Sequence, residues 1–398
     1  MGSESYPSSI IHNNILCKGI SMPTKPKKIL EKKTFDIQKY KESKGLIRKI
    51  KNKELTWIPL SEAFQEALGI PGIPRGYTAL TRGYSNTGKS TGIYEAIVGA
   101  QRIGDLPVIF DTENNFQWEH AKNIGMKFDE IVDKETGEVS YEGDFIYVSN
   151  RMLLDMYSHW DYDEAKSKAE PVRNQPVIED IARFMDEIMD DQESGNLERS
   201  VAFFWDSIGS LDCFRSVKSK SKNNMWNAGA LESSFKSILN FRIPDTQRED
   251  CPYTNTFFAV QKIWFDNMNT VIKHKGGEAF FFGARLILHF GGILTHGTKK
   301  KNAEVTDKGI KYKYQFGVEA DVRCEKNQVT GIEQMGKIMS TSHGYWNPDK
   351  IDDYKKKYKP YILQQLTMTY TNIDFDNDAD INVTTEEITT LSVEDSMS

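Results

Sequence analysis

The sequence has few of the residues that build covalent or metal-linked scaffolds. Its 398 residues include four cysteines, which lie far apart and form no Cys-x-x-Cys pair. This spacing excludes a zinc ribbon and a disulfide framework, and it is typical of a protein of a reducing compartment. Thirteen prolines and 28 glycines are too few for a fibrous or low-complexity chain.

Long hydrophobic runs are also missing. The first residues, Met-Gly-Ser-Glu-Ser, contain no apolar signal core, so the sequence predicts no secretion. The longest apolar stretch, from Ala279 to Leu294, is interrupted by Arg285 and His289. It is shorter than the ~20 residues that a membrane-spanning helix needs. We therefore expect a soluble, cytoplasmic protein without a membrane partner.

The net charge of −6 hides an uneven distribution. Residues Lys25 to Lys53 carry twelve Lys or Arg against three acids, a net of +9, with a helix predicted around Phe35–Ile50. Residues Tyr361 to Ser398 carry eight acids and no base, and from about Asn372 they are predicted to be disordered. The basic arm could be a solvated leader, an electrostatic arm or a subunit-docking element. An overall negative charge therefore does not exclude a nucleic-acid partner.

Between these ends, short apolar runs alternate with helix-like stretches. This alternation predicts an α/β fold with a mostly parallel sheet covered by helices on both faces. The predicted strands are Tyr77–Leu80, Val108–Phe110, Phe145–Val148, Val201–Trp205, Thr256–Val260 and Arg285–Phe290. The predicted helices are Gly88–Ile103, Phe116–Gly125, Pro176–Glu193 and Ala228–Phe241.

The strongest local signal is Gly83-Tyr-Ser-Asn-Thr-Gly-Lys-Ser90, an intact G-x-x-x-x-G-K-S between a strand and a helix. In such a P-loop, backbone N–H groups surround phosphate oxygens, the lysine approaches the β- and γ-phosphates, and the serine hydroxyl binds Mg²⁺. The sequence therefore predicts a site for ATP and Mg²⁺. Its nucleotide-contacting candidates are Gly83, Tyr84, Ser85, Asn86, Thr87, Gly88, Lys89, Ser90 and Thr91.

Three polar strand ends are candidates for the remaining chemistry. Val201 to Asp206 is an apolar strand ending in Asp, the form of a Walker B element, so Asp206 is predicted to hold Mg²⁺ together with Ser90. Glu113, after a second strand, is the candidate base for the attacking water. Gln261, after a third strand, could sense the γ-phosphate.

With these elements in order, the chain resembles the RecA-type strand-exchange recombinases, particularly the phage UvsX-like branch, from about Trp57 to Gly344. The segment Gly69-Ile-Pro-Gly-Ile-Pro-Arg-Gly76 is similar to the family's approach to the P-loop. Asp111-Thr-Glu113 and Asp206-Ser-Ile-Gly209 are similar to its D-x-E and Walker B motifs. Gly276-Gly-Glu-Ala-Phe-Phe-Phe-Gly-Ala-Arg285 is similar to the run that closes its second DNA-binding loop.

The resemblance implies a RecA-like ATPase core at 56–345, following a basic N-terminal arm or oligomerisation element at 1–55. A C-terminal helical extension at 346–371 and an acidic disordered tail at 372–398 would follow. It also implies a DNA-dependent ATPase that forms helical homo-oligomers on single-stranded DNA, pairs it with duplex DNA, and works with single-strand-binding and loader proteins. A phage-encoded protein of this kind would act in the host cytoplasm.

Two segments would then be DNA loops, at about Arg215 to Gly229 and Ile263 to Gly277. Each mixes cations, which suit phosphates, with aromatic or apolar groups, which stack on bases. The candidates for contacts with DNA are Arg215, Lys218, Lys220, Lys222, Met225, Trp226, Phe265, Met268, Lys273, Lys275, Gly276 and Gly277.

Two positions depart from the family pattern. In bacterial RecA, a Lys-x-Lys pair of one subunit reaches the nucleotide phosphates bound by its neighbour. Here Lys326 matches the first lysine and Gln328 replaces the second. Arg323 could share this trans role. The family's adenine-stacking aromatic aligns with His120, and the nearby Trp118 is an alternative.

Two other functions fit parts of the pattern. A hexameric helicase of the DnaB class also has RecA-like cores, but the run from Gly276 to Arg285 argues against it. A non-motor mediator that binds ATP and assists a partner filament would usually have degraded motifs, whereas Lys89, Ser90, Glu113 and Asp206 are all present.

Overall fold

The computed structural model describes residues 35–46, 51–220, 224–266, 271–274, 279–292, 298–370, 373, 375–376 and 378–387. The chain divides into two units, Met1–Lys49 and Ile50–Ser398. In the first unit, helix α1 spans Ile37–Ser43, and the side chain of Asp36 accepts hydrogen bonds from the first turn. Every described residue of this unit is exposed. Helix α1 is shorter than predicted because the backbone turns at Gly45, where φ is +63°.

The second unit contains the remaining elements. Its helices are α2 (Glu62–Leu68), α3 (Lys89–Ile103), α4 (Trp118–Ile124), α5 (Asn150–Tyr157), α6 (Ile178–Glu193), α7 (Phe214–Ser219), α8 (Asn224–Ser237), α9 (Ile243–Asp245), α10 (Ala279–Gly283), α11 (Ile351–Lys357) and α12 (Lys359–Thr369). A π-helical turn (Ile238–Arg242) lies between α8 and α9, and a 3-10 turn (Pro348–Lys350) directly precedes α11.

The strands are β1 (Trp57–Pro59), β2 (Gly72–Pro74), β3 (Thr78–Gly83), β4 (Leu106–Asp111), β5 (Asp129–Val132), β6 (Val139–Glu142), β7 (Ile146–Ser149), β8 (Trp160–Asp161), β9 (Lys166–Ser167), β10 (Val201–Ile208), β11 (Thr256–Asp266), β12 (Val271–His274), β13 (Leu286–Phe290), β14 (Thr298–Asp307), β15 (Ile310–Asn327), β16 (Met335–Thr341), β17 (Gly344–Trp346) and β18 (Asn382–Glu387).

The main sheet has the order β17-β16-β15-β13-β3-β11-β10-β4-β7, and its strands from β13 to β7 are parallel. All six predicted strands and all four predicted helices of the core are present, with ends that differ by a few residues. The prediction of an α/β fold with a mostly parallel central sheet is confirmed. The carboxyl ends of β3, β4, β10 and β11 lie at the same edge, where open α/β sheets bind their ligands.

Apolar layers cover both faces of the sheet. Along β10, Phe204 packs with Ile93 and Ile97 of α3 on one face. Its neighbours Phe203 and Trp205 belong to the other layer, which includes residues of α6 and α8. Because successive side chains of a strand point to opposite faces, a continuous apolar run is buried on both sides. Within the described ranges, no helix combines the length and apolar character needed to cross a membrane.

An antiparallel extension continues the sheet beyond β13. Strand β15 pairs with β13, β14 and β16, and helices α11 and α12 lie in the region predicted as a helical extension. Tyr312, Tyr354 and Leu366 belong to its separate apolar core. This sheet was not predicted, because β14 reads Thr-Lys-Lys-Lys-Asn-Ala-Glu-Val-Thr-Asp and is mostly polar.

The structure differs from the predicted disorder of 372–398 in one part. Strand β18 pairs antiparallel with β14, and Lys299 forms an ion pair of 3.1 Å with Glu387. Just before β18, Phe375 and Ile381 are buried in the core of the extension. Isolated apolar residues thus anchor a segment whose composition is typical of disorder. Residues 388–398 lie outside the described residues.

Candidate nucleotide-binding site

The P-loop connects β3 to α3 and depends on two glycines. Gly88 has φ +93° and precedes the first turn of α3, and a Cβ there would lie 2.7 Å from the Cβ of Ser340. A Cβ on Gly83 would lie 2.2 Å from the carbonyl oxygen of Phe290. Both positions therefore require glycine. The loop leads into the amino end of a fifteen-residue helix, which favours an anion.

Lys89 is buried within this loop, with 6% of its surface exposed. Its ammonium group donates a hydrogen bond to the carbonyl oxygen of Tyr84, so the side chain folds back over the loop. A buried cation at the amino end of a helix favours an anion at this position.

Asp206 lies near the carboxyl end of β10, beside the first turn of α3. The Ser90 hydroxyl donates a hydrogen bond of 2.8 Å to Oδ2 of Asp206, so the two predicted Mg²⁺ ligands are in contact. Burial raises the pKa of Asp206 to about 6; the hydrogen bond from Ser90 opposes this shift, whereas the nearby charge of Glu113 adds to it. Among the described residues, no group of three His, Cys, Asp or Glu side chains forms a metal site. One carboxylate and one hydroxyl suit Mg²⁺, which usually takes its other ligands from phosphates and water.

Glu113 follows β4 and lies beside the turn after Asp206. The Ser207 hydroxyl donates a hydrogen bond to Oε1 of Glu113. Asp111 shapes the turn that carries Glu113, because its carboxylate accepts hydrogen bonds from the amides of Asn115 (3.1 Å) and Phe116 (3.0 Å). Asp111 and Ser207 belong to the D-x-E and Walker B motifs, but neither was predicted to have a role in the site.

A cleft of ≈1070 Å³ opens from the P-loop between α4 and the antiparallel extension. His120 lines it, and its Nε2 lies 3.0 Å from the carbonyl oxygen of Thr341. Burial lowers the pKa of His120, which favours the neutral ring. Trp118 also lines the cleft, but its ring stacks on Tyr141 at 4.0 Å within an aromatic cluster. The His120 ring also has an aromatic contact, with Tyr94 at 4.8 Å. Both candidate rings therefore line the cleft and pack against other rings of the chain.

Gln261 and Lys326 do not line this cleft. Gln261 is fully buried on β11, beside Arg82 of β3. The Lys326 ammonium group donates to the carbonyl oxygen of Phe281 at 2.8 Å, within the same chain. Burial lowers the pKa of Lys326, and the charge of Arg285 adds to this shift. The structure thus brings together Lys89, Ser90, Glu113 and Asp206. Gln261 pairs in register with Ile208, two residues beyond Asp206 on β10, whereas the Lys326 ammonium group is held at Phe281.

An ion network lies beside Gln261. Arg82 forms a salt bridge with Glu325, and Nδ1 of His289 lies 3.5 Å from the same carboxylate. Burial alone would raise the pKa of Glu325, but the nearby His289 ring and the hydrogen bonds and charge of Arg82 outweigh it and lower the pKa to about 2. Glu325 therefore remains charged at neutral pH and ties β3 to β15.

The first predicted DNA loop is partly helical. Arg215 and Lys218 lie on α7, and Trp226 lies on α8, where it packs against the apolar core and under the Arg215 guanidinium at 4.6 Å. Lys218 is paired with Asp163, and Lys220 ends α7 with φ +54°. Trp226 was predicted to stack on or wedge between bases. Its ring is half-buried, because it also fits the apolar layer. The positions or side chains of the other candidates lie outside the described residues: Lys222, Met225, Phe265, Met268, Lys273, Lys275, Gly276 and Gly277.

Comparison with known proteins finds local similarity. The chain is 32% identical over 105 residues to Protein RecA of Desulforapulum autotrophicum, covering 25% of this chain and 30% of that protein. It is 37% identical over 84 residues to Protein RecA of Clavibacter michiganensis, covering 21% of this chain and 23% of the relative. It is 36% identical over 84 residues to Protein RecA of Mycobacteroides abscessus, covering 21% of this chain and 24% of that protein.

No family model matches the chain. The matched segment spans between about a quarter and a third of the length of these curated relatives. Over that segment, the chain is similar to bacterial RecA proteins.

Proposed function

We propose that this chain is a RecA-type DNA recombinase of the UvsX-like branch, an ATPase that forms filaments on single-stranded DNA and catalyses homologous pairing and strand exchange. The observation that carries the proposal is the meeting of Lys89, Ser90, Asp206 and Glu113 at one edge of the parallel sheet. The local similarity to RecA proteins supports the same family.

The residues of the site fit ATP and Mg²⁺. Because Gly83 and Gly88 lack a Cβ, the loop can pack closely against Phe290 and Ser340. A glycine-containing loop of this kind can direct backbone N–H groups at phosphate oxygens. Ser90 and Asp206 would hold Mg²⁺, and they offer the oxygen ligands that it prefers. When bound, Mg²⁺ neutralises charge on the β- and γ-phosphates.

The side chains of the site have separate tasks. Lys89 binds and orients the phosphates, and Glu113 accepts a proton from the attacking water through its carboxylate. Ser207 orients that carboxylate through its hydrogen bond to Oε1. His120 contacts the base, with its ring held by the carbonyl oxygen of Thr341.

ATP would be coupled to DNA through neighbouring subunits. Gln261 would sense the γ-phosphate, and Lys326 of one subunit would reach the phosphates held by the next. Lys326 would then exchange its contact with Phe281 for a phosphate. ATP can favour the DNA-binding form only if it binds that form more tightly than the alternative. Hydrolysis would remove this preference and release DNA.

Electron microscopy with circular single-stranded DNA and a non-hydrolysable ATP analogue tests the proposal. We expect open helical filaments from the unaltered chain, and none from Lys89→Ala, which lacks the phosphate-binding ammonium group. Closed rings would instead indicate a hexameric helicase. Neither rings nor filaments, despite nucleotide binding, would indicate a non-motor mediator.

A further inference from the structure

Lys218 on α7 is held by two carboxylates from a distant part of the sequence. Its ammonium nitrogen lies 2.9 Å from Oδ2 of Asp163 and 3.4 Å from Oδ2 of Asp161. Both acids belong to residues 158–177, a segment between α5 and α6 that contains β8 and β9. A cation expected at DNA is thus engaged with acids of the same chain.

The position of the acids is set by contacts other than Lys218. Asp161 is buried, and its Oδ1 accepts hydrogen bonds from the amides of Asp163 (3.1 Å) and Glu164 (3.3 Å). Arg173 links this segment to α6. Its guanidinium forms a buried salt bridge with Asp180 and donates a hydrogen bond of 2.8 Å to the carbonyl oxygen of Trp160. The carboxylate of Asp163 is therefore presented on a fixed turn.

Helix α7 is also anchored without Lys218. The amide of Phe214 donates to Oε2 of Glu179 at 2.9 Å, and the Phe214 ring packs on Tyr162 at 5.6 Å. In the pair itself, 45% of the Lys218 side chain and 54% of the Asp163 side chain are exposed. Exposed ion pairs contribute little to folding stability, so the fold does not depend on this one.

Two carboxylates around an ammonium group resemble the surroundings that a phosphodiester backbone offers. If single-stranded DNA binds along α7, its phosphates must compete with Asp161 and Asp163 for Lys218. Because Lys218 and Asp163 are both about half exposed, Lys218 can leave Asp163 without moving a buried side chain. The buried Asp161 then keeps its hydrogen bonds from the amides of Asp163 and Glu164.

We propose that Asp161 and Asp163 act as an internal competitor of single-stranded DNA: they occupy Lys218 in the free chain and yield it to a phosphate when the strand binds. This inference rests on the DNA binding proposed above and adds a regulating contact. It gives Asp161 and Asp163, for which the sequence predicted no function, a role in DNA binding.

The test is the equilibrium binding of a fluorescent oligothymidylate by the full chain with the ATP analogue, measured across a salt series. Asp163→Asn keeps the size of the side chain and removes its charge. We expect it to tighten binding by roughly two- to five-fold, the range of an exposed ion pair. The slope of log affinity against log salt should steepen by up to roughly 0.7, the value for one phosphate contact.

Two controls separate this account from a general loss of negative charge. In a Lys218→Ala background, Asp163→Asn should bring no gain. Asp155→Asn removes an equally exposed carboxylate, 56% exposed and paired with Arg151 on α5, and should leave affinity unchanged.

Equal gains from Asp155→Asn and Asp163→Asn would overturn the inference, as would weaker or unchanged binding by Asp163→Asn. If the unaltered chain binds no single-stranded DNA, the proposed function fails and this inference fails with it. If the unaltered chain binds but Asp163→Asn brings no gain, the inference alone fails.

Discussion

The hydroxyl of Ser90 and the carboxylate of Asp206, 116 positions apart in the chain, are joined by a hydrogen bond of 2.8 Å. This contact aligns the P-loop with the end of β10 and places two oxygen ligands side by side. It also links metal binding to the protonation of Asp206, because a metal ligand must give up its proton.

The first prediction concerns pH. Since burial raises the pKa of Asp206 to about 6, the carboxyl group is mostly charged at pH 7 and mostly protonated at pH 5. Mg²⁺ must displace that proton, so the Mg²⁺ concentration for half-maximal ATP hydrolysis should rise by up to about ten-fold per unit below pH 6.

Titrations of Mg²⁺ at several pH values would measure this dependence. Ser90→Ala removes a hydrogen bond that lowers the pKa of Asp206, so its rise in Mg²⁺ requirement should begin at a higher pH. A Mg²⁺ requirement that stays constant from about pH 7 to about pH 5 would argue against Asp206 as a ligand.

The second prediction separates binding from chemistry. Glu113→Gln keeps the shape of the side chain and loses the base, so it should bind ATP normally and hydrolyse it at least about 100-fold more slowly. It should also stay on DNA longer. Lys89→Ala is the complementary variant and should lose nucleotide affinity itself. Binding of a fluorescent ATP analogue and steady-state turnover would measure the two effects, and normal turnover by Glu113→Gln would refute its assignment.

The third prediction compares two glycines with similar backbone angles at the ends of α3. Gly88 has φ +93° and Gly104 has φ +84°, but only at Gly88 would a Cβ meet other atoms within 4 Å. Gly104→Ala should therefore lower the free energy of unfolding by about 1 kcal/mol, the cost of the left-handed conformation. Gly88→Ala adds a clash with Ser340 and should cost about 2–4 kcal/mol. Urea unfolding would measure both, and equal losses would contradict the tight packing at the P-loop.

The fourth prediction concerns the C-terminal region. A chain ending at residue 372 loses β18 together with the buried Phe375 and Ile381, so its free energy of unfolding should fall by about 2–4 kcal/mol. A chain ending at residue 387 keeps all of these and should retain its stability. Urea unfolding of both chains is the measurement. Equal stability of the two would show that β18 and the residues before it add nothing to the fold.

Local patterns were sufficient for much of the core and for the contact between Ser90 and Asp206. The apolar run Val201–Trp205 predicted a buried strand ending at Asp206, and the P-loop motif predicted its partner Ser90. These inferences succeeded because parallel strands bring their carboxyl ends to one edge whatever their order in the chain. The antiparallel extension was missed because the burial of β14 comes from its partners β15 and β18, and not from its own polar sequence.

Contacts between distant segments explain what sequence patterns did not predict. Lys218 and Trp226 are residue types that commonly contact DNA. In the structure, Lys218 pairs with the carboxylate of Asp163, 55 positions away, and Trp226 packs against an apolar layer. Ser207 became a partner of Glu113 because two strand ends meet. Such pairings depend on the assembled sheet, so one segment alone does not indicate them.

The most direct test of the central claim is the formation of joint molecules between circular single-stranded DNA and linear duplex DNA in the presence of ATP and Mg²⁺. We expect joint molecules with a homologous duplex, none with an unrelated duplex, and none from Lys89→Ala. Equal yields with both duplexes, or no joint molecules from a chain that binds single-stranded DNA and hydrolyses ATP, would contradict the assignment as a strand-exchange recombinase.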